Sequence, residues 1–365
     1  EGFGILAYAV AIGGIIAVNV RFGMDMTLLR DLYHYQDKSK EILVASVILR
    51  IIILIICFST LLILNIYSVV TLSLGQLLVA FSSALIALQL NNYYDFLGNL
   101  KKSSIQNMVY KLLYFASIWI ASYYVELSID IIGWLMTVTL IGYLVVNYNS
   151  VNFVSIVIDS ESNIKDILFL LKENHIVWIT ALLVSMAYSV NQLIVEDILG
   201  ESDLGIFAAS YLFVAAILMF YKQISRAFKP LMAMHTHGGL NDGFMKKYLF
   251  GMMGFGGAIS ITLFFLSDFM ILTLLGIEYM SSAEVLKYFS IFVFMKSVEI
   301  VLTQYFQFSR SYKISLLTNA TFGISTVVLS IYLLPIYGVI GGAIAMSLGL
   351  AIGNAIALLP YKEVV

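Results

Sequence analysis

Apolar residues along this chain gather into long runs rather than alternating, and each run is about 20 residues, the length at which a helix crosses a bilayer core. Charges and Gly, Asn and Ser breaks bound the runs. They predict helices at 3–20, 41–66, 69–91, 105–126, 130–151, 174–196, 203–225, 247–268, 283–308, 314–334 and 338–359, eleven spans in all. The break between the second and third rests on Asn65, Tyr67 and Ser68. The longest connections are 152–173 and 226–246. The first holds Ile164, Ile167, Leu168 and Leu171 at helical spacing, which predicts an amphipathic interfacial helix.

Composition agrees with a lipid solvent. The 365 residues are 61% hydrophobic and 12% charged, against roughly a quarter charged in an ordinary soluble domain. Pro230, Pro335 and Pro360 are expected at span ends, because a ring without an N–H breaks a helix interior. Cys57 is the single cysteine, so an intramolecular disulfide and a cysteine metal cluster are excluded. The chain opens at Glu1 with neither Met nor a signal peptide, and is read as beginning between two spans.

Charge sets an expected orientation. The Lys and Arg at the span ends and between them fall in alternate connections: Arg21, Arg30, Lys38 and Lys40, then Lys101 and Lys102, Lys165 and Lys172, Lys222, Arg226, Lys229, Lys246 and Lys247, Arg310 and Lys313, and Lys362. The intervening loops hold only acidic residues such as Glu126, Asp130, Glu196, Asp197, Glu201 and Asp203. The positive-inside rule makes the basic side cytoplasmic, placing the first residue outside and the last inside.

Ionisable groups deep in a span carry the chemistry, since a charge at the bilayer centre costs at least about 2.5–3.5 kcal/mol unless it meets a partner or water. Arg50 lies roughly 15 Å into its span at 1.5 Å per residue, with no acidic residue near it in that helix. It is read as facing a water-filled, anion-attracting cavity, a reading that a partner from another helix would defeat. Lys296 and Glu299 share one helix face. Two readings stand side by side for them: a mutually neutralised structural pair, or a charged cavity lining and protonation switch. Lys111 and Lys287 are shallower, within reach of an interface. Lys222, Arg226 and Lys229 follow an inner span end; topology accounts for them, and gathering anionic head groups is the second reading. His235 and His237 have only Asp242 close by and read as a solvated loop. Glycines at 251, 254, 256 and 257, and at 338, 341 and 342, read as small-residue packing faces. No P-loop, GxSxG or HExxH motif occurs, so neither an enzyme nor a cofactor is expected, and nucleic acid is not an expected partner.

Several stretches resemble the polysaccharide flippase family, the O-antigen Wzx-type translocases of the multidrug/oligosaccharidyl-lipid/polysaccharide superfamily. They are Glu1-Gly2-Phe3-Gly4 leading to Tyr8, Phe22-Gly23 before Arg30, and Tyr94-Asp95-Phe96-Leu97-Gly98-Asn99-Leu100-Lys101. Further on come Leu199-Gly200-Glu201-Ser202-Asp203-Leu204-Gly205-Ile206-Phe207-Ala208-Ala209-Ser210, and Leu275-Gly276-Ile277-Glu278-Tyr279 with Ser282, Val285 and Leu286. The last is Leu334-Pro335-Ile336-Tyr337-Gly338-Val339-Ile340-Gly341-Gly342-Ala343. Their order and spacing run nearly end to end.

The resemblance implies an all-α integral membrane protein: eleven helices of a MATE-like twelve-helix fold, helix one missing, with two six-helix lobes around a central cavity. Residues 1–157 would be helices two to six and 158–365 helices seven to twelve. It further implies a multi-pass protein of the bacterial inner membrane, native termini cytoplasmic, moving undecaprenyl-diphosphate-linked oligosaccharide by alternating access. Membrane lipid, a polymerase and a chain-length regulator are the implied partners. Arg50, Lys296 and Lys111 are the candidate cavity cations. Glu299 is the candidate switch for a coupling ion, H+ or Na+, and Asn191 and Gln192 are candidate polar lining. Relatives often carry an acid in helix seven, where this chain has Asn191. The rival readings are a multidrug or cation antiporter of the same superfamily and a membrane-embedded polysaccharide polymerase or ligase.

Overall fold

The computed structural model describes residues 2–235, 243–308 and 312–358; within them the side chains at 26, 100, 226, 229–235, 307, 308 and 312 fall outside the described set. The helices are α1 (Gly2–Arg21), α2 (Met24–His34), α3 (Ser39–Ile66), α4 (Leu74–Leu85), α5 (Asn91–Phe96), α6 (Leu100–Tyr124), α7 (Ile129–Asn149) and α8 (Phe153–Asp159), followed by α9 (Ile164–Ser185). Then come α10 (Asn191–Leu199), α11 (Glu201–His235), α12 (Gly243–Leu274), α13 (Ser281–Phe308), α14 (Tyr312–Tyr337) and α15 (Val339–Leu358). No strand occurs among the described residues.

Nine helical runs among these are long and apolar enough to cross a membrane. The remaining two expected spans are present as α6 and α13, of 25 and 28 residues, and are more polar because they carry Lys101, Lys102 and Lys111, and Glu284, Lys287, Lys296 and Glu299. Large apolar side chains point outward along the spans: Ile55, Ile56 and Ile63 of α3, Phe115 and Trp119 of α6, Phe265 and Phe269 of α12 are all exposed. Water would penalise that surface and hydrocarbon does not. The protein is an all-α integral membrane protein.

Contacts divide the chain into two units, Ala9–Leu182 and Glu1–Tyr8 with Leu183–Val365. In the first, α4 packs on α7 and α2 on α3 and α5, around a core of Met24, Leu28, Leu32, Leu43, Leu90, Tyr94 and Leu170. In the second, α14 packs on α15 and α13 on α11, α12 and α15, around Phe207, Phe289, Phe292, Phe322 and Leu334.

Four sequence expectations are corrected. The connection 21–40 is not a loop: Met24, Thr27, Leu28, Asp31 and Leu32 are buried at helical spacing, and that apolar stripe folds α2. The expected interfacial helix near 164–171 is instead the first turns of a helix continuing through α9, a π turn at Met186–Val190 and α10. Leu170 is fully buried there, while Ile164 and Leu168 are exposed. The connection 226–246 shrinks from both ends, since α11 and α12 run into it. Pro230 therefore falls within α11 and Pro335 within the last turn of α14. Near a helix end the lost N–H deprives only one carbonyl, and neighbouring helices in a bilayer tolerate the remainder. Pro360 lies outside the described residues.

The glycine faces are partly as expected. A Cβ at Gly256 would strike Ser297, and one at Gly341 would strike the Leu333 carbonyl, whereas at Gly251 and Gly254 it would meet no atom of the described residues within 4 Å. Gly338, at φ 57°, makes the turn between α14 and α15.

Candidate functional site

In the first unit, α4 ends in a 3₁₀ turn at Ile86–Leu88 before the chain bends into α5, a break that leaves carbonyls without helical partners. Arg50, about 16 Å along α3 at 1.5 Å per residue and only 3% exposed, supplies the missing donors. Its Nη1 donates to Ala87 O at 2.8 Å and Gln89 O at 3.3 Å. Its Nη2 meets Asp25 Oδ1 at 3.3 Å, and Asp25 Oδ2 meets Arg21 Nε at 3.3 Å. Arg50 is therefore not the bare cation its own helix suggests, since the partner comes from α2. The buried Arg50 Nε has no hydrogen-bond partner among the described residues.

Around it, Asn147 Oδ1 accepts from Leu90 N at 3.1 Å and Asn147 Nδ2 donates to Gln106 Oε1 at 3.1 Å. Tyr148 Oη donates to Leu88 O at 2.8 Å and Asn92 Nδ2 to Met24 O at 3.1 Å. These bonds hold the bent segment 86–92 in place beneath Arg50. On α2, Asp31 is buried and takes Arg30 Nη2 at 2.7 Å; burial pushes its carboxyl above the usual range, with Arg30 opposing. Thr27 hydrogen-bonds Asn174. Lys111 is exposed on α6, apart from this cluster.

The second unit holds Lys296 and Glu299. Lys296 Nζ meets Glu299 Oε2 at 2.8 Å, and Thr303 Oγ1 donates to Glu299 Oε1 at 2.9 Å. The ammonium also lies 5.8 Å from the ring centre of Tyr188 and 5.7 Å from that of Phe322, within cation–π range. Tyr188 stands in the π turn, edge-on to Phe292 and Phe322 at 6.3 and 5.7 Å. A π turn widens one helical turn and recurs at functional sites; here it closes at Asn191, which is fully buried. Ser330 Oγ donates to Asn191 Oδ1 at 2.5 Å, while Asn191 Nδ2 is without a partner among the described residues. Phe322, Thr326 and Ser330 recur every four residues and so share one face of α14. Gln192 is half-buried and Lys222 exposed. The side chains of Arg226, Lys229 and His235, and all of His237, lie outside the described residues. Lys287, on α13, pairs with Asp268 at 2.8 Å. Among the described residues no three His, Cys, Asp or Glu side chains gather into a metal-holding group.

Sequence reasoning missed Asp25, Tyr188, Phe322, Ser330 and Thr303. Arg21 and Asp25 stand four apart, and Tyr188 and Asn191 three apart, spacings that put each pair on one face. The Asn191–Ser330 contact, 139 residues apart, leaves no such local signal.

The model of the family described as polysaccharide biosynthesis protein matches residues 1–235. No curated protein sequence matches the chain. Among solved structures, the lipid II flippase MurJ in an inward closed conformation is 14% identical, with 99% of this chain and 82% of that one covered at a TM-score of 0.72. An inward-facing multidrug resistance MATE family transporter of the MOP superfamily is 13% identical, covering 99% and 87% at 0.72. A MOP superfamily transporter from Pyrococcus furiosus, described as having a binding pocket of reversed polarity, is 13% identical, covering 99% and 85% at 0.60. At these identities the likeness is one of fold.

Proposed function

The chain belongs to the polysaccharide biosynthesis protein family, and from that premise we propose that it is a flippase moving an undecaprenyl-diphosphate-linked oligosaccharide, an O-antigen or related repeat unit, across the bacterial inner membrane by alternating access. The observation that supports this reading is a loosely paired cation rather than a bare one. Arg50, deep in α3, has one edge anchored on backbone carbonyls and meets the half-exposed Asp25 only at 3.3 Å, which leaves the carboxylate exchangeable for another anion. The diphosphate is the costly part of such a cargo, and a fixed cation lowers the cost of bringing it into a low-dielectric path. The prenyl tail stays in lipid throughout.

In this reading Lys296 and Lys111 are the further cavity cations, and Lys222, Arg226 and Lys229 attract anionic head groups at the cytoplasmic face. Asn191 and Gln192 line the path, and Glu299 answers to H+ or Na+ as coupling ion. Lobes 1–157 and 158–365 move against each other, with native termini in the cytoplasm, and a polymerase and a chain-length regulator take up the product. The buried Glu299 carboxylate favours a second reading, a cation or multidrug antiporter.

Complementation tests both. The gene is expressed in a bacterium lacking its own O-unit flippase, and mature surface polysaccharide is measured. Restored glycan that disappears with Arg50→Gln, while the variant still inserts, is the expected outcome. No glycan from inserted wild-type protein in hosts with several repeat-unit structures, together with raised resistance to cationic drugs, would replace the flippase with the antiporter.

A further inference from the structure

A guanidinium offers a phosphate two kinds of edge, and the side edge, Nε with Nη2, presents two parallel N–H donors that match two oxygens of one phosphate. In Arg50 the opposite nitrogen, Nη1, is committed to Ala87 O and Gln89 O. The side edge is poorly used. Nη2 has one contact of 3.3 Å, to Asp25, and the buried Nε has no partner among the described residues. Charge-assisted N–H···O bonds normally run about 2.7–2.9 Å. A carboxylate whose purpose was to neutralise Arg50 would close on both donors, as Asp31 does on Arg30 with Nε at 2.8 Å and Nη2 at 2.7 Å.

Asp25 instead spans two cations, holding Arg21 Nε at 3.3 Å with its other oxygen. Its side chain is 48% exposed, against 3% for Arg50. Arg21, on the last turn of α1, is itself 39% exposed. One loosely held, accessible anion thus sits between a buried guanidinium bonded to backbone carbonyls and a partly exposed outer one. That is the arrangement of a site whose own carboxylate occupies the place of a ligand.

We propose that Arg21 and Arg50 form a binding site for a phosphate or diphosphate group, and that the Asp25 carboxylate is an internal stand-in displaced when the ligand enters. The proposal deepens the flippase reading and rests on it for the lipid-linked source of the diphosphate alone. Displacement explains how a deep cation stays neutralised without cargo, when an unpaired buried charge would be destabilising. It also sets a threshold, since a monoanion gains little by exchanging with a carboxylate, whereas a diphosphate brings more charge and more oxygens to both arginines.

The test titrates the detergent-solubilised full chain with inorganic pyrophosphate by calorimetry. Asp25→Asn removes the competing charge, and at least about tenfold tighter binding than wild type is expected, the gain disappearing in Asp25→Asn/Arg50→Lys. Unchanged or weaker binding in Asp25→Asn overturns the proposal, as does a gain that survives Arg50→Lys. Should Asp25→Asn not yield folded protein, wild type and Arg50→Lys decide. A pyrophosphate-induced rise in melting temperature present in wild type and lost in Arg50→Lys supports the site, and equal rises reject it. A second arm adds undecaprenyl diphosphate in the same micelles. Competition with pyrophosphate assigns the site to the lipid head group, and pyrophosphate binding without competition assigns it to a free anion. Failure of glycan complementation with pyrophosphate binding intact would remove the flippase reading and leave the anion site.

Discussion

Ser330 Oγ donates to Asn191 Oδ1 at 2.5 Å, joining α14 to the point where the π turn Met186–Val190 passes into α10. Both residues are fully buried, so the bond has no water to replace it. Ser330→Ala strands an amide whose Nδ2 is already without a partner among the described residues, and a loss of about 1–3 kcal/mol is expected for the polar group left unpaired. Removing both polar groups in Ser330→Ala/Asn191→Leu should restore much of that stability. Thermal unfolding of the two singles and the double in detergent gives the coupling; an additive double would show the bond to be worth nothing.

Lys296 and Glu299 have side chains 15% and 9% exposed. Taking away one partner leaves a buried charge, and about 3–5 kcal/mol is expected for Lys296→Met or Glu299→Leu alone. The double Lys296→Met/Glu299→Leu should be as stable as wild type, or more stable by up to about 1–4 kcal/mol. Glycan export by the double separates the two roles: export retained means a structural pair, export lost in a stable, inserted protein means a functional one.

Gly323 and Gly257 should respond oppositely to alanine. A Cβ at Gly323 would overlap the Leu183 carbonyl, whereas at Gly257 the nearest atoms are Phe294 ring carbons at 3.9 Å. Gly323→Ala is expected to cost about 1–3 kcal/mol or more by overpacking α14 against α9. Gly257→Ala should be neutral, or stabilising by up to about 1 kcal/mol through helix propensity. Equal melting temperatures for the two would contradict the packing described.

Asp31 gives stability a pH dependence. Burial raises its carboxyl above the ordinary range, so the folded protein holds the proton more tightly than the unfolded chain. Its contribution is fully present below the unfolded value and declines as pH rises through the folded one. Asp31→Asn mimics the protonated form, so its stability relative to wild type should rise from the ordinary carboxylate range, about pH 4, towards neutrality, and level off below. Parallel melting curves for wild type and variant across that range would show that Arg30 fully offsets the burial.

The sequence by itself determined the membrane-spanning helices, because hydrocarbon demands long apolar runs with every backbone group bonded within the helix, and that demand is local. It marked Arg50, Lys296 and Glu299 as notable for the same reason, each being an ionisable group in an apolar run, whereas Asn191 stood out only through the family resemblance. It also held the signal for α2, in Met24, Leu28 and Leu32, beneath a run of charges that reads as a loop. What it could not hold was partnership. Whether Arg50 stands bare or faces Asp25, where Asn191 finds Ser330, and which rings cover Lys296 depend on residues distant in the chain, so only tertiary packing decided them. The exception was Lys296 with Glu299, three apart on one helix, where local geometry sufficed. Burial followed the same division: the amphipathic stripe was legible, but whether Ile164 or Leu170 turned inward was set by what packs beside α9.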